Sequence, residues 1–221
     1  MKNKTALVLG ASGLVGNELV KMLIQQTQYE RIHVLVRKPI GIKDFKCEQH
    51  IIDFDHLDKY TELFNVTDVF CCLGTTIKKA KSKEAFRKVD FDYSIEAAKL
   101  AKENGVDKFL IISAMGANPK SFVFYNKVKG QLEESLSKLD LPSLYIFRPS
   151  LLLGEREEFR FGEKLASKAS GVLNTLMIGP LQPYKAIDAK KVAAAMAKTA
   201  CTGKKGVNIY SSHEIEQISR N

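Results

Sequence analysis

The chain has 221 residues, a formal net charge of +9 and 45% hydrophobic residues. This length suffices for one sizeable hydrophobic core, and no repeat or Ser/Gly-rich linker divides the sequence, so we expect a single domain over 1–221. No apolar stretch approaches the ~20 residues that cross a bilayer, and the first residues lead into a predicted strand without the apolar core of a signal peptide. We therefore expect a cytoplasmic protein with no membrane partner.

Cysteine and histidine residues are scattered along the chain without the spacing of a known metal site. Cys71 and Cys72 are adjacent and fall in a predicted buried strand, which favours reduced thiols that pack in the core. The four histidines include no HExxH or similar ligand pair. The sequence therefore predicts neither a structural nor a catalytic metal.

The opening of the chain carries the clearest functional signal. An apolar run over 5–9 breaks into GASGLVG over 10–16, and apolar residues then recur at helical spacing from Leu14 onward. This pattern predicts a buried parallel strand, a glycine turn and an amphipathic helix. The helix N-terminus would favour a pyrophosphate, whereas glycines without this context would indicate only a turn. The residues predicted to contribute are Gly10, Ser12, Gly13, Leu14, Val15 and Gly16.

The rest of the chain alternates strand-like and helix-like segments. Strands are predicted at 32–36, 50–52, 69–73, 109–113 and 144–147, with helical segments near 56–63, 91–104 and 125–139. This alternation predicts a Rossmann-type doubly wound parallel sheet with helices on both faces and a ligand crevice at the carboxyl ends of the strands. Residues 150–221 are expected to add a small substrate-side cap and a late strand at 207–210.

A basic residue follows the second predicted strand, where NAD-binding proteins place an acidic residue on the ribose 2′-hydroxyl. Arg37 occupies this position, with Lys38 as a weaker candidate beside it. Because a guanidinium can hold a 2′-phosphate that a carboxylate would repel, the sequence predicts NADP(H) in preference to NAD(H). The alternative is that Arg37 is only a solvated surface residue at the end of a strand.

A tyrosine and a lysine four residues apart are the candidate catalytic pair. Tyr125 and Lys129 fall on a predicted helix, where this spacing puts both side chains on one face. An ammonium beside a tyrosine stabilises the phenolate, so Tyr125 is predicted to act as a general acid and base. Ser113, at the end of the preceding strand, is the candidate hydroxyl donor to a substrate carbonyl.

The GxxGxxG spacing and the YxxxK pair resemble the short-chain dehydrogenase/reductase superfamily. Together with VLVRKP, CCLGTT and RPSLLLGERE, they most resemble its atypical branch, in the Tat-interacting-protein oxidoreductase subgroup and its NAD(P)-binding relatives. The resemblance implies that Lys129 also bonds the nicotinamide ribose. It further implies that the cofactor is contacted by Asp53, Phe54, Leu73, Gly74 and Thr75, although Asp53 is equally compatible with a helix N-cap. One departure is that the usual serine position is Ala114, one residue after Ser113.

These patterns predict an NADP(H)-dependent oxidoreductase for a small carbonyl or alcohol substrate, with NAD(H) as the alternative cofactor. The rival hypothesis is an NADP(H)-binding redox sensor or assembly partner with little turnover.

Arg156 and Arg160 could meet an anionic substrate, and Phe159 and Phe161 could line an apolar pocket or anchor the cap. Leu165, Val172, Leu173 and Leu176 indicate a core or a homodimer face. The clustered lysines lack interleaved aromatic residues, so they favour a solvated surface over a dedicated nucleic-acid site.

Overall fold

A computed structural model describes residues 3–154, 185–202 and 204–220, and its centre is a seven-stranded parallel sheet. Its strands are β1 (Lys4–Leu9), β2 (Tyr29–Val36), β3 (Cys47–Ile51), β4 (Asp68–Cys71), β5 (Lys108–Ile112), β6 (Ser143–Arg148) and β9 (Gly206–Ser211), while β7 (Leu152–Leu153) and β8 (Ile187–Asp188) form a separate pair. The strand order of the sheet is β3-β2-β1-β4-β5-β6-β9, and every neighbouring pair is parallel. This confirms the predicted fold class.

Helices connect these strands and cover both faces of the sheet. They are α1 (Leu14–Gln25), a 3₁₀ segment (Phe54–Phe64), α2 (Ile77–Ala80), α3 (Lys83–Arg87), a π turn (Lys88–Asp92), α4 (Tyr93–Glu103), α5 (Phe124–Ser137), α6 (Ala189–Thr202) and α7 (Ser212–Arg220). The predicted helices at 91–104 and 125–139 correspond to α4 and α5. In the described part of the chain, no helix is both long and apolar enough to span a membrane.

The core lies in two layers because successive side chains of a buried strand point to opposite faces. Ala6 and Val8 pack on the face that carries α1 and α6. Leu7 and Leu9 pack on the face that carries α4 and the 3₁₀ segment. All four side chains are fully buried, which explains why 6–9 is continuously apolar rather than alternating.

The last strand of the chain, β9, belongs to the central sheet. The predicted late strand at 207–210 is β9, which pairs in parallel with β6 at the edge of the sheet. The predicted cap segment with Arg156, Phe159, Arg160 and Phe161, and the apolar residues from Leu165 to Leu176, lie outside the described residues.

Candidate functional site

The glycine loop between β1 and α1 brings two parts of the backbone unusually close together. Gly10 has a φ of +83°, and a Cβ atom there would lie 2.5 Å from the carbonyl oxygen of Cys72. A Cβ on Gly16 would lie 2.3 Å from the carbonyl oxygen of Gly10. Both distances are shorter than a carbon can tolerate, so the turn requires glycine at both positions.

The N-terminus of α1 is shaped to receive an anion. Gly13 is its N-cap, and within the described residues no side chain caps this end and no acidic residue occupies the first turn. The first backbone N–H groups of a helix lack partners within it, and the helix dipole places partial positive charge there. The glycine loop and this helix end together fit the pyrophosphate of a dinucleotide.

A cleft of about 1300 Å³, which we call the outer cleft, runs along the carboxyl edge of the sheet from this loop. Arg37, immediately after β2, lines it together with Phe54 and Tyr93. The other predicted residues that line it are Gly10, Ser12, Gly13, Leu14, Leu73, Gly74 and Thr75. Lys21, Lys79 and Lys190 add basic side chains to the same lining.

A smaller cavity of about 270 Å³, the inner pocket, continues from the outer cleft and shares part of its wall. Tyr125 and Lys129 line the inner pocket, together with Ser113 and Val15. Both members of the predicted pair lie on α5, and the ring of Tyr125 packs against Phe86 with 5.7 Å between ring centroids. The structure therefore brings the predicted pair to the same cavity system as the glycine loop.

Lys129 is buried and forms an ion pair that the sequence did not predict. Its Nζ atom lies 2.8 Å from Oδ1 of Asp90, and the two residues are only 3% and 1% exposed. Burial opposes the charge on Lys129, but the Asp90 carboxylate and Tyr125 outweigh it and raise the pKa of Lys129 above its ordinary value. The lysine is therefore an ammonium at neutral pH.

Asp90 also fixes the loop that follows β4. Its Oδ2 atom accepts a hydrogen bond of 2.7 Å from the backbone N–H of Thr75. The sequence patterns above did not identify Asp90, although its position carries a signal. Phe86, Asp90, Ser94 and Ala98 recur every four residues and are all buried, so a lone carboxylate interrupts the buried stripe of a helical segment.

Ser113 points its hydroxyl at a second buried acid. Its Oγ atom donates a hydrogen bond of 2.5 Å to Oε1 of Glu133, which lies one turn beyond Lys129 on α5. Arg148 donates from Nε to both oxygens of Glu133, at 3.0 and 3.1 Å. In this arrangement the serine proton is directed toward α5, although Ser113 lines the inner pocket.

Three of the predicted cofactor residues lie outside the lining of both cavities. Gly16 packs closely against the backbone of Gly10 and so supports the glycine loop. Lys38 is exposed. Asp53 is the N-cap of the 3₁₀ segment, with Oδ1 accepting a 3.0 Å hydrogen bond from the backbone N–H of Asp55. The roles predicted for Lys38 and Asp53 toward a cofactor remain predictions.

Comparison with known protein families agrees with this geometry. A family model described as NAD(P)H-binding matches residues 10–200. Protein HTATIP2 of Rattus norvegicus is 38% identical over 177 residues, which cover 78% of this chain and 73% of the relative. Protein FMP52, mitochondrial, of Meyerozyma guilliermondii is 35% identical over 225 residues, covering 97% of this chain and 95% of the relative.

Solved structures with the same fold are more distant in sequence. MoeE5 in complex with UDP-glucuronic acid and NAD superposes with a TM-score of 0.73 at 14% identity, covering 97% of this chain and 81% of that chain. The Bordetella bronchiseptica enzyme WbmH in complex with NAD⁺ also has a TM-score of 0.73, at 13% identity, covering 99% and 80%. These similarities establish the fold.

The relatives contradict one expectation from the sequence. Several yeast proteins at 34–35% identity are named as mitochondrial, among them those of Debaryomyces hansenii and Candida albicans. The expectation of a cytoplasmic protein is therefore wrong as stated. It followed from the composition of the chain and from its opening, and neither identifies a compartment.

Proposed function

The chain belongs to the NAD(P)H-binding family of atypical short-chain dehydrogenases/reductases, in the subgroup of HTATIP2 and FMP52, and from this premise we propose that it is an NADP(H)-dependent oxidoreductase. The proposed substrates are small carbonyl compounds or the corresponding alcohols. One observation carries the proposal. Tyr125 and the buried, charged Lys129 line the inner pocket, which continues into the outer cleft beside the glycine loop.

The residues of the chain account for the proton in such a reaction. When bound, the nicotinamide cofactor supplies or accepts the hydride. In the reducing direction, the Tyr125 hydroxyl donates a proton to the carbonyl oxygen, so that the carbonyl gains one hydride and one proton and becomes an alcohol. Lys129 stabilises the resulting phenolate because its ammonium lies close to that side chain. Solvent then returns a proton to Tyr125.

The volume and lining of the inner pocket support a small substrate. The cavity of about 270 Å³ is bordered by Ala114, Met115 and Pro149 beside the tyrosine. These side chains are largely apolar, so they favour the carbon skeleton of a small aldehyde or ketone over a highly charged molecule.

A preference for NADP(H) is the second part of the proposal, and Arg37 supports it. Arg37 is exposed at the end of β2 and lines the outer cleft, where a guanidinium can form charge-assisted bonds to a 2′-phosphate. Lys79 lines the same cleft and adds positive charge.

Arg37→Asp tests the cofactor preference. We expect this substitution to weaken NADPH binding much more than NADH binding, because the new carboxylate repels only the cofactor that carries a 2′-phosphate. The measurement is a fluorescence titration with each cofactor. Lys43→Asp is the matched control, since Lys43 is an exposed lysine outside both cavity linings, and it should change the NADPH/NADH affinity ratio far less. An unchanged ratio in Arg37→Asp would assign Arg37 to the solvated surface.

The activity itself is tested by incubating the NADPH complex with a panel of aldehydes, ketones and quinones while following absorbance at about 340 nm. Oxidation of NADPH that depends on one of these compounds supports the reductase and identifies its substrate class. Tight binding of NADPH without oxidation by any panel member favours the second candidate, a redox sensor or assembly partner. The observation that favours this candidate is the hydrogen bond from Ser113 to Glu133, which directs the serine proton away from a substrate carbonyl.

A further inference from the structure

Two histidines and a glutamate converge at the edge of the sheet, away from the cofactor site. His33 lies on β2 and is paired in register with Glu48 on β3, the outermost strand. His50 lies two residues beyond Glu48, so the alternation of a strand puts both on the same face. In the described part of the chain, these three residues form the one cluster of potential metal ligands. None of them lines the inner pocket or the outer cleft.

Distances within the cluster resemble those of a metal site. Nδ1 of His33 and Nε2 of His50 are 2.9 Å apart, and these atoms lie 3.6 and 3.8 Å from the nearer carboxylate oxygens of Glu48. Ligand atoms about 2.0–2.2 Å from a tetrahedral zinc ion lie about 3.3–3.6 Å from one another. The observed separations bracket that range, so one ion could contact all three groups after small rotations of the side chains.

We propose that His33, Glu48 and His50 form a binding site for a divalent transition metal such as Zn²⁺. Two imidazoles and a carboxylate are a ligand set that suits zinc and its first-row neighbours better than magnesium or calcium. The two imidazole side chains are 15% and 20% exposed and Glu48 is 56% exposed, so an ion can enter from solvent and keep water as a further ligand. The ligands come from two strands, which explains why spacing along the sequence did not predict a metal.

The backbone around the cluster is rigid enough to hold the ligands in place. All three residues belong to hydrogen-bonded parallel strands, and the neighbouring Val34 and Leu35 are fully buried. The alternative for the same contacts is a hydrogen bond between the two imidazoles, in which one ring donates to the other. The two cases differ in one respect, because only the metal site needs the Glu48 carboxylate.

The test is a calorimetric titration of the tag-free, EDTA-dialysed full chain with ZnCl₂ at pH 7.5. We expect one ion per chain, and a Co²⁺ substitute with the visible absorption of a site that has nitrogen and oxygen ligands. His50→Gln and Glu48→Gln should each weaken Zn²⁺ binding by more than the ~10- to 100-fold that loss of an outer hydrogen-bond partner costs. His213→Gln, which alters an exposed histidine on α7, should bind Zn²⁺ as the wild type does.

Thermal unfolding and cofactor titration complete the test. Zn²⁺ should raise the melting temperature of the wild type and of His213→Gln but not that of Glu48→Gln, because an ion that binds only the folded state stabilises it. NADPH affinity should be the same with and without Zn²⁺ in all folded variants. Absence of one-to-one binding would overturn the proposal, and so would binding that survives both ligand substitutions.

Discussion

At the scale of single residues, the candidate site contains one buried lysine, Lys129, whose charge is kept by an ion pair. An ammonium in a water-excluded position loses its proton unless an opposite charge compensates for burial. Asp90 supplies that charge at 2.8 Å, and its second oxygen fixes the backbone of Thr75 beside the cavity. One carboxylate therefore both keeps Lys129 charged and shapes the loop after β4.

Asp90→Asn should destabilise the protein and shift its alkaline limit. Removal of one partner from a buried ion pair costs about 3–5 kcal/mol, because the remaining charge is uncompensated. With the carboxylate gone, burial lowers the pKa of Lys129, and NADPH oxidation should decline at a lower pH than in the wild type. Urea unfolding and the pH dependence of the rate measure these effects.

The folded-state pKa of Lys129 sets the pH range in which the ion pair with Asp90 stabilises the protein. The folded-state pKa of Lys129 lies above its value of about 10.4 in an unfolded chain, so the ion pair contributes fully below about pH 10 and is lost at higher pH. The contribution of the ion pair to wild-type stability should therefore be constant between about pH 6 and 9. In Asp90→Asn burial lowers the pKa of Lys129 below its unfolded value, so the stability of the variant should rise with pH and its difference from the wild type should narrow. Asp92→Asn, at an exposed position two residues away, is the control and should behave as the wild type. Equal stability of wild type and Asp90→Asn would contradict this account.

Residue spacing predicted part of this site and missed another part for a physical reason. Tyr125 and Lys129 were predictable because a separation of four on one helix fixes their common face. Asp90 belongs to a π turn, and its approach to Lys129 depends on how that turn packs against α5. The partner of Ser113 likewise depends on packing, because Glu133 reaches the serine from α5.

At the scale of elements, α5 is held close to the segment that precedes it. Gly130 lies on the buried face of α5, and a Cβ atom there would be 2.2 Å from backbone atoms of Asn118 and Pro119. The backbone N–H of Asn118 also donates a 3.0 Å hydrogen bond to the carbonyl of Asn126. This contact sets the position of the helix that carries Tyr125 and Lys129.

Gly130→Ala should therefore lower both stability and activity. An added methyl group that meets backbone atoms costs about 1–3 kcal/mol, which exceeds the ~1 kcal/mol that alanine gains over glycine in a helix. We expect a lower urea midpoint and slower NADPH oxidation, because α5 must shift relative to Asn118 and Pro119 and would carry Tyr125 and Lys129 with it. Gly41→Ala is the control, since a Cβ there meets nothing within 4 Å. A Gly130→Ala variant as stable and active as the wild type would show that the contact is not required.

Element positions were predicted better than element boundaries. The observed β2 begins at Tyr29, three residues before the predicted start at 32, and β3 begins at Cys47 instead of 50. Both extensions contain polar residues and are held in the sheet by pairing with β1 or β2, which leaves no apolar signal in the sequence. The segment at 56–63 was predicted to be helical and is part of a 3₁₀ helix with non-helical dihedral angles at His56 and Tyr60.

At the scale of the whole molecule, the parallel sheet explains why distant sequence motifs form one site. The glycine loop, Arg37, Gly74 and Ser113 each follow a strand, and parallel strands end at the same edge of the sheet. The order β3-β2-β1-β4-β5-β6 then places the loops side by side. The alternation of strands and helices was therefore sufficient to predict the fold and which loops meet at this edge of the sheet.

The sequence could not predict properties that depend on partners or on cellular context. The predicted cytoplasmic compartment is contradicted by the mitochondrial names of the yeast relatives. Amino-acid composition alone does not identify a cellular compartment. The identity of the substrate likewise depends on the shape of a pocket assembled from several elements. Only its volume and its largely apolar lining follow from the structure.

The proposed role of Tyr125 as proton donor is tested by Tyr125→Phe, in single-turnover oxidation of bound NADPH by the best carbonyl substrate of the panel. Because only the phenolic oxygen is lost, the rate should fall by about 10²- to 10⁴-fold while NADPH affinity stays within about twofold of the wild type. Tyr60→Phe, which removes a phenolic oxygen outside both cavity linings, should leave the rate unchanged. Wild-type turnover by Tyr125→Phe would contradict the proposed role of the tyrosine and lysine pair.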